Sequence, residues 1–121
     1  ATDVCVPISR LAECIAETRK DIEESGLLAP IVGHVGDGNF HVDMVLDPDD
    51  AEEVGRARAL NERLVSRALE MEGTCTGEHG VGYGKIDNLF AEHGAALDIM
   101  RDLKRMIDPL NLMNPGKIVQ L

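Results

Sequence analysis

The stretch GHVGDGNFH, Gly33 to His41, decides how this chain folds. Asp37-Gly38 is a strong hairpin signal, because a two-residue type I′ turn needs positive φ at both central positions. With that pair as the loop, Gly36 faces Asn39, Val35 faces Phe40 and His34 faces His41. Residues directly opposite in an antiparallel pair have Cβ atoms ~5 Å apart, which brings the two imidazoles together. Alternation predicts the same register. Ile31, Val35, Phe40, Val42, Met44 and Leu46 share one face, and Val32, His34, His41, Asp43 and Asp47 share the other. A slip of one residue would mix the two sets, so burial should enforce the pairing.

Upstream of the hairpin, Thr2 to Ile8 reads as a short strand with Pro7 at its end, where proline interrupts no ladder. Ser9 is the predicted N-cap of a helix ending near Gly26, with Leu11, Ile15, Thr18 and Ile22 facing inward. The hairpin strands run over residues 30–36 and 39–47. Asp50 and Glu53 then form a capping-box pattern before a helix reaching about Glu72, with Ala57, Leu60, Leu64, Ala68 and Met71 inward. Gly73 ends it, and residues 73–77 make a last strand. The order βαββαβ predicts a ferredoxin-like α+β fold, an antiparallel sheet with helices on its apolar face. The histidine face is left open. Residues 1–77 make up this part. Residues 78–121 carry a glycine-rich loop, helices over about 86–93 and 95–107, and a tail with an Asn114-Pro115-Gly116 turn. Leu97, Met100, Leu103 and Ile107 are the expected inner stripe of the second helix.

A chain of 121 residues has room for one small core. It opens directly into a strand and reads as a piece of something longer. The formal net charge of -10 argues against nucleic acid or an anionic membrane as partner. Cys5, Cys14 and Cys75 have no paired spacing, which predicts buried reduced thiols and a reducing compartment. No signal peptide or membrane-length apolar run is visible.

Candidate chemistry gathers at two places. His34 and His41, joined by Glu78 from the glycine loop, make a plausible three-ligand site. Imidazole nitrogen binds Zn²⁺ at ~2.0–2.1 Å and carboxylate oxygen at ~2.0–2.2 Å, with a further position open for substrate. The same donors suit Mn²⁺ or Fe²⁺. The alternative is two histidines stacked on a polar strand face, and spacing alone leaves both open. His79 reads either as a loop histidine or, beside Glu78, as a functional one. Taken singly, Asp43 is a solvated strand residue, Lys85 a surface lysine near a helix start, and His93 a favourable helix-end charge. The loop Gly77 to Lys85 lacks a phosphate-binding pattern. Its glycines make Glu78 costly to order, so metal binding by this stretch alone should be weak.

Three motifs in order, GHVGDGNFH, TGEHGVGYGK and DPLNLMNPGKI, resemble the C-terminal part of the FAD-linked oxidases of the vanillyl-alcohol-oxidase superfamily. The branch most similar holds D-lactate dehydrogenases, glycolate oxidase large subunits and D-2-hydroxyglutarate dehydrogenases. The resemblance covers essentially the whole chain. It implies an enzyme that oxidises a D-2-hydroxy acid to a 2-oxo acid with FAD as hydride acceptor, the FAD held by a separate N-terminal domain. It further implies zinc on His34, His41 and Glu78, and His79 as the base. Asp43 and Lys85 become candidate substrate contacts, and Asn114 and Lys117 candidate contacts on the flavin side. The position matching Asp43 is asparagine in the 2-hydroxyglutarate enzymes, so this chain departs from that branch there. The implied electron acceptor is a cytochrome, a quinone or an electron-transfer flavoprotein. The expected location is cytoplasmic, or peripheral at the inner face of a membrane. The competing readings are a stand-alone metal-binding α+β module and a metal-dependent hydrolase using the same His₂Glu set.

Overall fold

A computed structural model describes residues 1–121. The elements run β1 (Val4–Cys5), α1 (Ile8–Ser25), β2 (Ile31–His34), β3 (Asn39–Val42), α2 (Ala51–Glu70), α3 (Ile86–His93) and α4 (Ala96–Ile107). The strands form one antiparallel sheet in the order β1-β3-β2. The expected fourth strand is reduced to a single antiparallel bridge between Thr74 and Cys5. The α+β class and the β1-α1-β2-β3-α2 order are those read from the sequence. The chain divides into two compact units, Ala1–His79 and Gly80–Leu121.

In the first unit, Phe40 and Val42 of β3 pack with Leu11 and Cys14 of α1 and with Leu60, Leu64 and Ala68 of α2. The inner stripe predicted for α2 is buried at every position. In α1, Leu11 and Thr18 are buried and Ile15 and Ile22 pack partly against the core. Cys14 and Cys75 are buried free thiols and Cys5 is partly buried. Arg67 of α2 donates to Asp21 and, at 3.1 Å, to Thr18 Oγ1, tying the two helices together.

The hairpin register differs from the expected one by two residues. His34 pairs with Asn39, Gly33 with Phe40 and Val32 with His41. The loop is therefore Val35 to Gly38, four residues long. Only Gly38 of the Asp-Gly pair takes positive φ (+77°), so no type I′ turn forms. Asp37 N–H instead donates to His34 O at 2.9 Å. An external constraint selects this loop. Gly38 O accepts from Val6 N at 3.0 Å, and a Cβ on Gly38 would lie 2.1 Å from Val6 O. A shift of two residues conserves the faces, since side chains alternate with period two. His34 and His41 thus share a face, diagonally rather than directly opposed, while Val35 leaves the core for the exposed loop.

The helix ends also depart in detail. Pro7, not Ser9, holds the N-cap position of α1, without a side-chain hydrogen bond. Asp50 caps α2 by accepting from the backbone of Glu52 and Glu53. Glu53 reaches back to Asp47 N–H rather than to Asp50 N–H, opening the predicted reciprocal box. No helix is long and apolar enough to cross a membrane.

In the second unit, Leu89, Leu97 and Val119 form a small core with Val81 and Met100 against it. Leu103 and Ile107, expected inward, are exposed here together with Ile99 and Met106. Asp108 closes α4. Its carboxylate accepts from Leu112 N at 2.9 Å and Met113 N at 2.8 Å, and it also pairs with Lys104.

Two stability predictions follow from these contacts. Gly38→Ala should lower the melting temperature sharply, since it combines left-handed strain with a backbone clash. Gly55→Ala, inside α2 with open space around it, should stabilise by about 0.5–1 kcal/mol. The Asp108 carboxyl is held down at about 2 by the Lys104 ammonium and the two N–H donors, against an ordinary value of 3.8. A depressed acid contributes its stabilisation in full above the ordinary value and loses it as pH falls through the folded one. Amide protection factors, corrected for intrinsic exchange, should therefore fall in residues 80–121 between pH 4 and pH 2, and Asp108→Asn should flatten that dependence.

Candidate functional site

The open sheet face carries His34 at the end of β2 and His41 in β3. His41 is buried and His34 exposed. His41 Nδ1 lies 2.9 Å from Thr2 O. A carbonyl only accepts, so the hydrogen-bond network assigns the Nδ1 proton to this bond and leaves Nε2 with a lone pair in the neutral ring. That Nε2 stands 2.9 Å from Glu78 Oε1. His34 Nε2 lies 3.7 Å from Glu78 Oε2, and His79 Nε2 lies 3.7 Å from Glu78 Oε1. The His79 ring stacks on His41 with centroids 4.7 Å apart and planes inclined by 7°.

Three ring nitrogens therefore turn toward one carboxylate. A neutral Nε2 and a carboxylate oxygen are both acceptors, so their close approach is favourable only with positive charge at the contact, a ring proton or a cation. Two donors each ~2.0–2.2 Å from one tetrahedral ion would lie roughly 3.4 Å apart. His41 Nε2 and His34 Nε2 approach different oxygens of Glu78, at 2.9 and 3.7 Å, distances on either side of that spacing. The grouping whose three ligand atoms all lie within 4.8 Å of one another is a different one, Asp3, His41 and His79. It is the weaker set. Asp3 faces the nitrogen whose proton Thr2 takes, and its oxygens are already engaged.

Sequence reasoning missed Asp3. This carboxylate is 1% exposed. It accepts from Asn39 Nδ2 at 2.8 Å, from Thr76 Oγ1 at 2.7 Å, and from the backbone N–H of Gly77, Glu78 and His79 at 2.9 to 3.2 Å. Burial works against its charge. The His79 N–H, the Thr76 hydroxyl, the Asn39 amide and the Glu78 N–H outweigh it, holding the carboxyl well below the usual range. Asn39 also donates to Val4 O at 2.8 Å. A Cβ on Gly77 would lie 2.0 Å from Asn39 Nδ2, so this position has room only for glycine. Glu78 and His79 thus hang from a backbone fixed at three consecutive amides, contrary to the expectation that the glycine loop leaves Glu78 costly to order. In the sequence, the only visible signal was an acidic residue at the start of an apolar strand.

An open depression of about 430 Å³ is lined by Val32, His34, His41, Asp43, Glu78 and His79. It carries two carboxylates and no lysine or arginine. A larger apolar groove of about 520 Å³ runs between α1 and β2 and holds none of the predicted residues. Lys85, Asn114 and Lys117 belong to the second unit. There Lys85 sits at the N-cap of α3, Asn114 takes positive φ (47°) in the C-terminal turn, and the Lys117 ammonium lies 5.3 Å from the Tyr83 ring centroid.

Residues 1–118 match the family described as FAD linked oxidases, C-terminal domain. The chain belongs to that family. It is similar to the probable mitochondrial D-lactate dehydrogenase of Danio rerio, 56% identical over 122 residues that cover 100% of this chain and 24% of that protein. The mitochondrial D-lactate dehydrogenase (cytochrome) of Arabidopsis thaliana is 49% identical, over 98% of this chain and 21% of its own length. Glycolate oxidase subunit GlcD of Bacillus subtilis is 33% identical, over 96% and 25% respectively. The chain spans about a fifth to a quarter of the length of these members of the family.

Proposed function

We propose that this chain is the substrate-domain part of an FAD-dependent dehydrogenase that oxidises a D-2-hydroxy acid of the lactate or glycolate type to the 2-oxo acid. The observation that carries the reading is the convergence of His34, His41 and His79 on Glu78 in a depression lacking cationic side chains. An anionic hydroxy acid would meet Asp43 and Glu78 there, so its binding calls for a positive charge that the lining side chains do not supply. His34, His41 and Glu78 are the residues that would hold a divalent cation, with zinc the expected ion. When bound, the cation would supply Lewis acidity and orientation to the substrate oxygens, and the flavin would supply hydride acceptance.

The remaining steps fall to the chain's own residues. His79, half-exposed beside the depression and stacked on His41, takes the hydroxyl proton at its Nε2. Imidazole suits this task because it changes charge near neutral pH. His41, with Nδ1 committed to Thr2 O, keeps its ring oriented and its Nε2 directed at the site. Asp43 lines the depression and is the proposed substrate contact; Lys85, a candidate from the family resemblance, belongs to the second unit and is not among the lining residues. Asn114 and Lys117 are contacts on the flavin side. A separate domain of the full-length protein binds FAD, and this chain alone is not expected to turn over. A cytochrome, as in the names of the plant and yeast relatives, a quinone or an electron-transfer flavoprotein takes the electrons.

Anaerobic addition of D-lactate or glycolate to the full-length protein should bleach its flavin absorbance. His41→Ala should lose both bound metal and flavin reduction. His79→Ala should keep its metal while flavin reduction slows by about 10²–10⁴-fold. If His79→Ala lost metal as readily as His41→Ala, the assignment of base and ligand would be wrong.

A further inference from the structure

We infer that Asp3 is the positioning residue of this site, a buried anion whose clasp on the 76–79 backbone sets Glu78 and His79 against the histidine face. The inference rests on the metal reading above and adds to it a residue that touches neither substrate nor cation.

The geometry is that of an anion nest turned inward. Successive backbone N–H groups at Gly77, Glu78 and His79 point at one carboxylate, as such groups do around bound phosphates. The bound anion here is a side chain of the same chain. It arrives from the residue preceding β1, more than seventy positions away in sequence. Both Asp3 oxygens are used, Oδ1 by Asn39 and Glu78, and Oδ2 by Thr76, Gly77, Glu78 and His79. Asn39 belongs to β3, two residues before His41, and Thr2, next to Asp3, holds His41 Nδ1. One dipeptide, Thr2-Asp3, therefore fixes the ring orientation of His41 and the backbone carrying Glu78 and His79. The distance between a ligand on the sheet and a ligand on the loop is set by these two residues.

An asparagine at position 3 keeps the shape but replaces one acceptor oxygen with an NH₂ that faces N–H donors. Repulsion there should release the loop while the apolar core, which Asp3 does not enter, persists. Partners that orient metal ligands typically change metal affinity by ~10–100-fold when removed. Simple destabilisation predicts something else, since a protein that stays folded at 25 °C keeps its site.

The test compares four versions of the 121-residue chain: wild type, Asp3→Asn, Thr76→Val and Val65→Ala. Val65→Ala removes buried volume in α2 at a position away from the site. Each is titrated with Zn²⁺ against a chromophoric chelator, and amide exchange is followed at Gly77, Glu78 and His79. Asp3→Asn should weaken zinc at least about tenfold and lose protection at those three amides. Thr76→Val, lacking one donor to Asp3, should show a smaller loss of both and covers the case in which Asp3→Asn does not fold. Val65→Ala should melt earlier yet bind zinc as wild type does. Zinc affinity in Asp3→Asn within twofold of wild type, or unchanged protection at the three amides, overturns the inference. If the 121-residue chain itself holds no zinc, metal analysis of the full-length protein decides the metal reading, and protection lost in Asp3→Asn but kept in Val65→Ala still establishes the clasp.

Discussion

A carboxylate that is 1% exposed is an expensive thing to place in a small domain, and Asp3 is placed where two parts of the first unit must meet. Transfer of an ionised acid from water is tolerated only when its lone pairs are satisfied. Here the donors are mostly backbone N–H groups, which would themselves be costly to bury unpaired. Each side therefore resolves the other's difficulty. The chain after Thr74 does not continue as a strand beside β1: Thr76 N–H donates to Thr74 Oγ1, and the amides of Gly77, Glu78 and His79 turn to the Asp3 side chain instead of a ladder. That is why the fourth strand of the expected ferredoxin-like sheet shrinks to the Cys5–Thr74 bridge. Strand pairing gives way to a clasp, and the clasp carries Glu78 and His79 to the histidine face.

The sheet explains why His34 and His41 can serve one site despite a register two residues from the expected one. Turn chemistry is a local signal, and Asp37-Gly38 satisfies it on paper. Gly38 is also required to meet Val6 across the sheet, and that non-local contact fixes a four-residue loop. Gly33 rather than Val35 then lies opposite Phe40, where a Cβ would sit 2.5 Å from Asn39 O. The face assignment survived because parity, not exact pairing, decides which side chains share a surface. The histidine face was thus legible in the alternation of residues 31–42. The pairing was not.

The helices divide along the same line. The α2 stripe of Ala57, Leu60, Leu64, Ala68 and Met71 is buried as its periodicity implies, because a sheet and a second helix lie against it. The α4 pattern is just as regular, yet Leu103 and Ile107 are exposed. Periodicity specifies a helix with an apolar side, and says nothing of whether its own unit is large enough to cover that side. A unit of about 40 residues buries too small a share of its surface to do so. The candidate residues named from the family motifs, His34, His41, Glu78 and His79, line one depression. Asp3, which holds that depression in shape, stands outside the three motifs, and its partners Asn39 and residues 76–79 are distant from it in sequence.

The site's electrostatics fit a division of labour between fixed and exchangeable charge. On a chain of net charge -10, a depression bearing Asp43 and Glu78 repels the anions it is proposed to bind. Cationic side chains lining it would attract them, but would also pair with Glu78 and block its oxygens. The arrangement instead leaves the Glu78 oxygens facing ring nitrogens, with His41 held by its Thr2 bond so that Nε2 points at Glu78. Such a cluster calls for positive charge at its contacts, a ring proton or a cation. The buried negative charge of Asp3, by contrast, is fully used within the fold and adds rigidity without an open coordination site. Asp3 and Glu78, 3.8 and 2.9 Å from the two nitrogens of the same imidazole, thus differ in how many protein donors each already has.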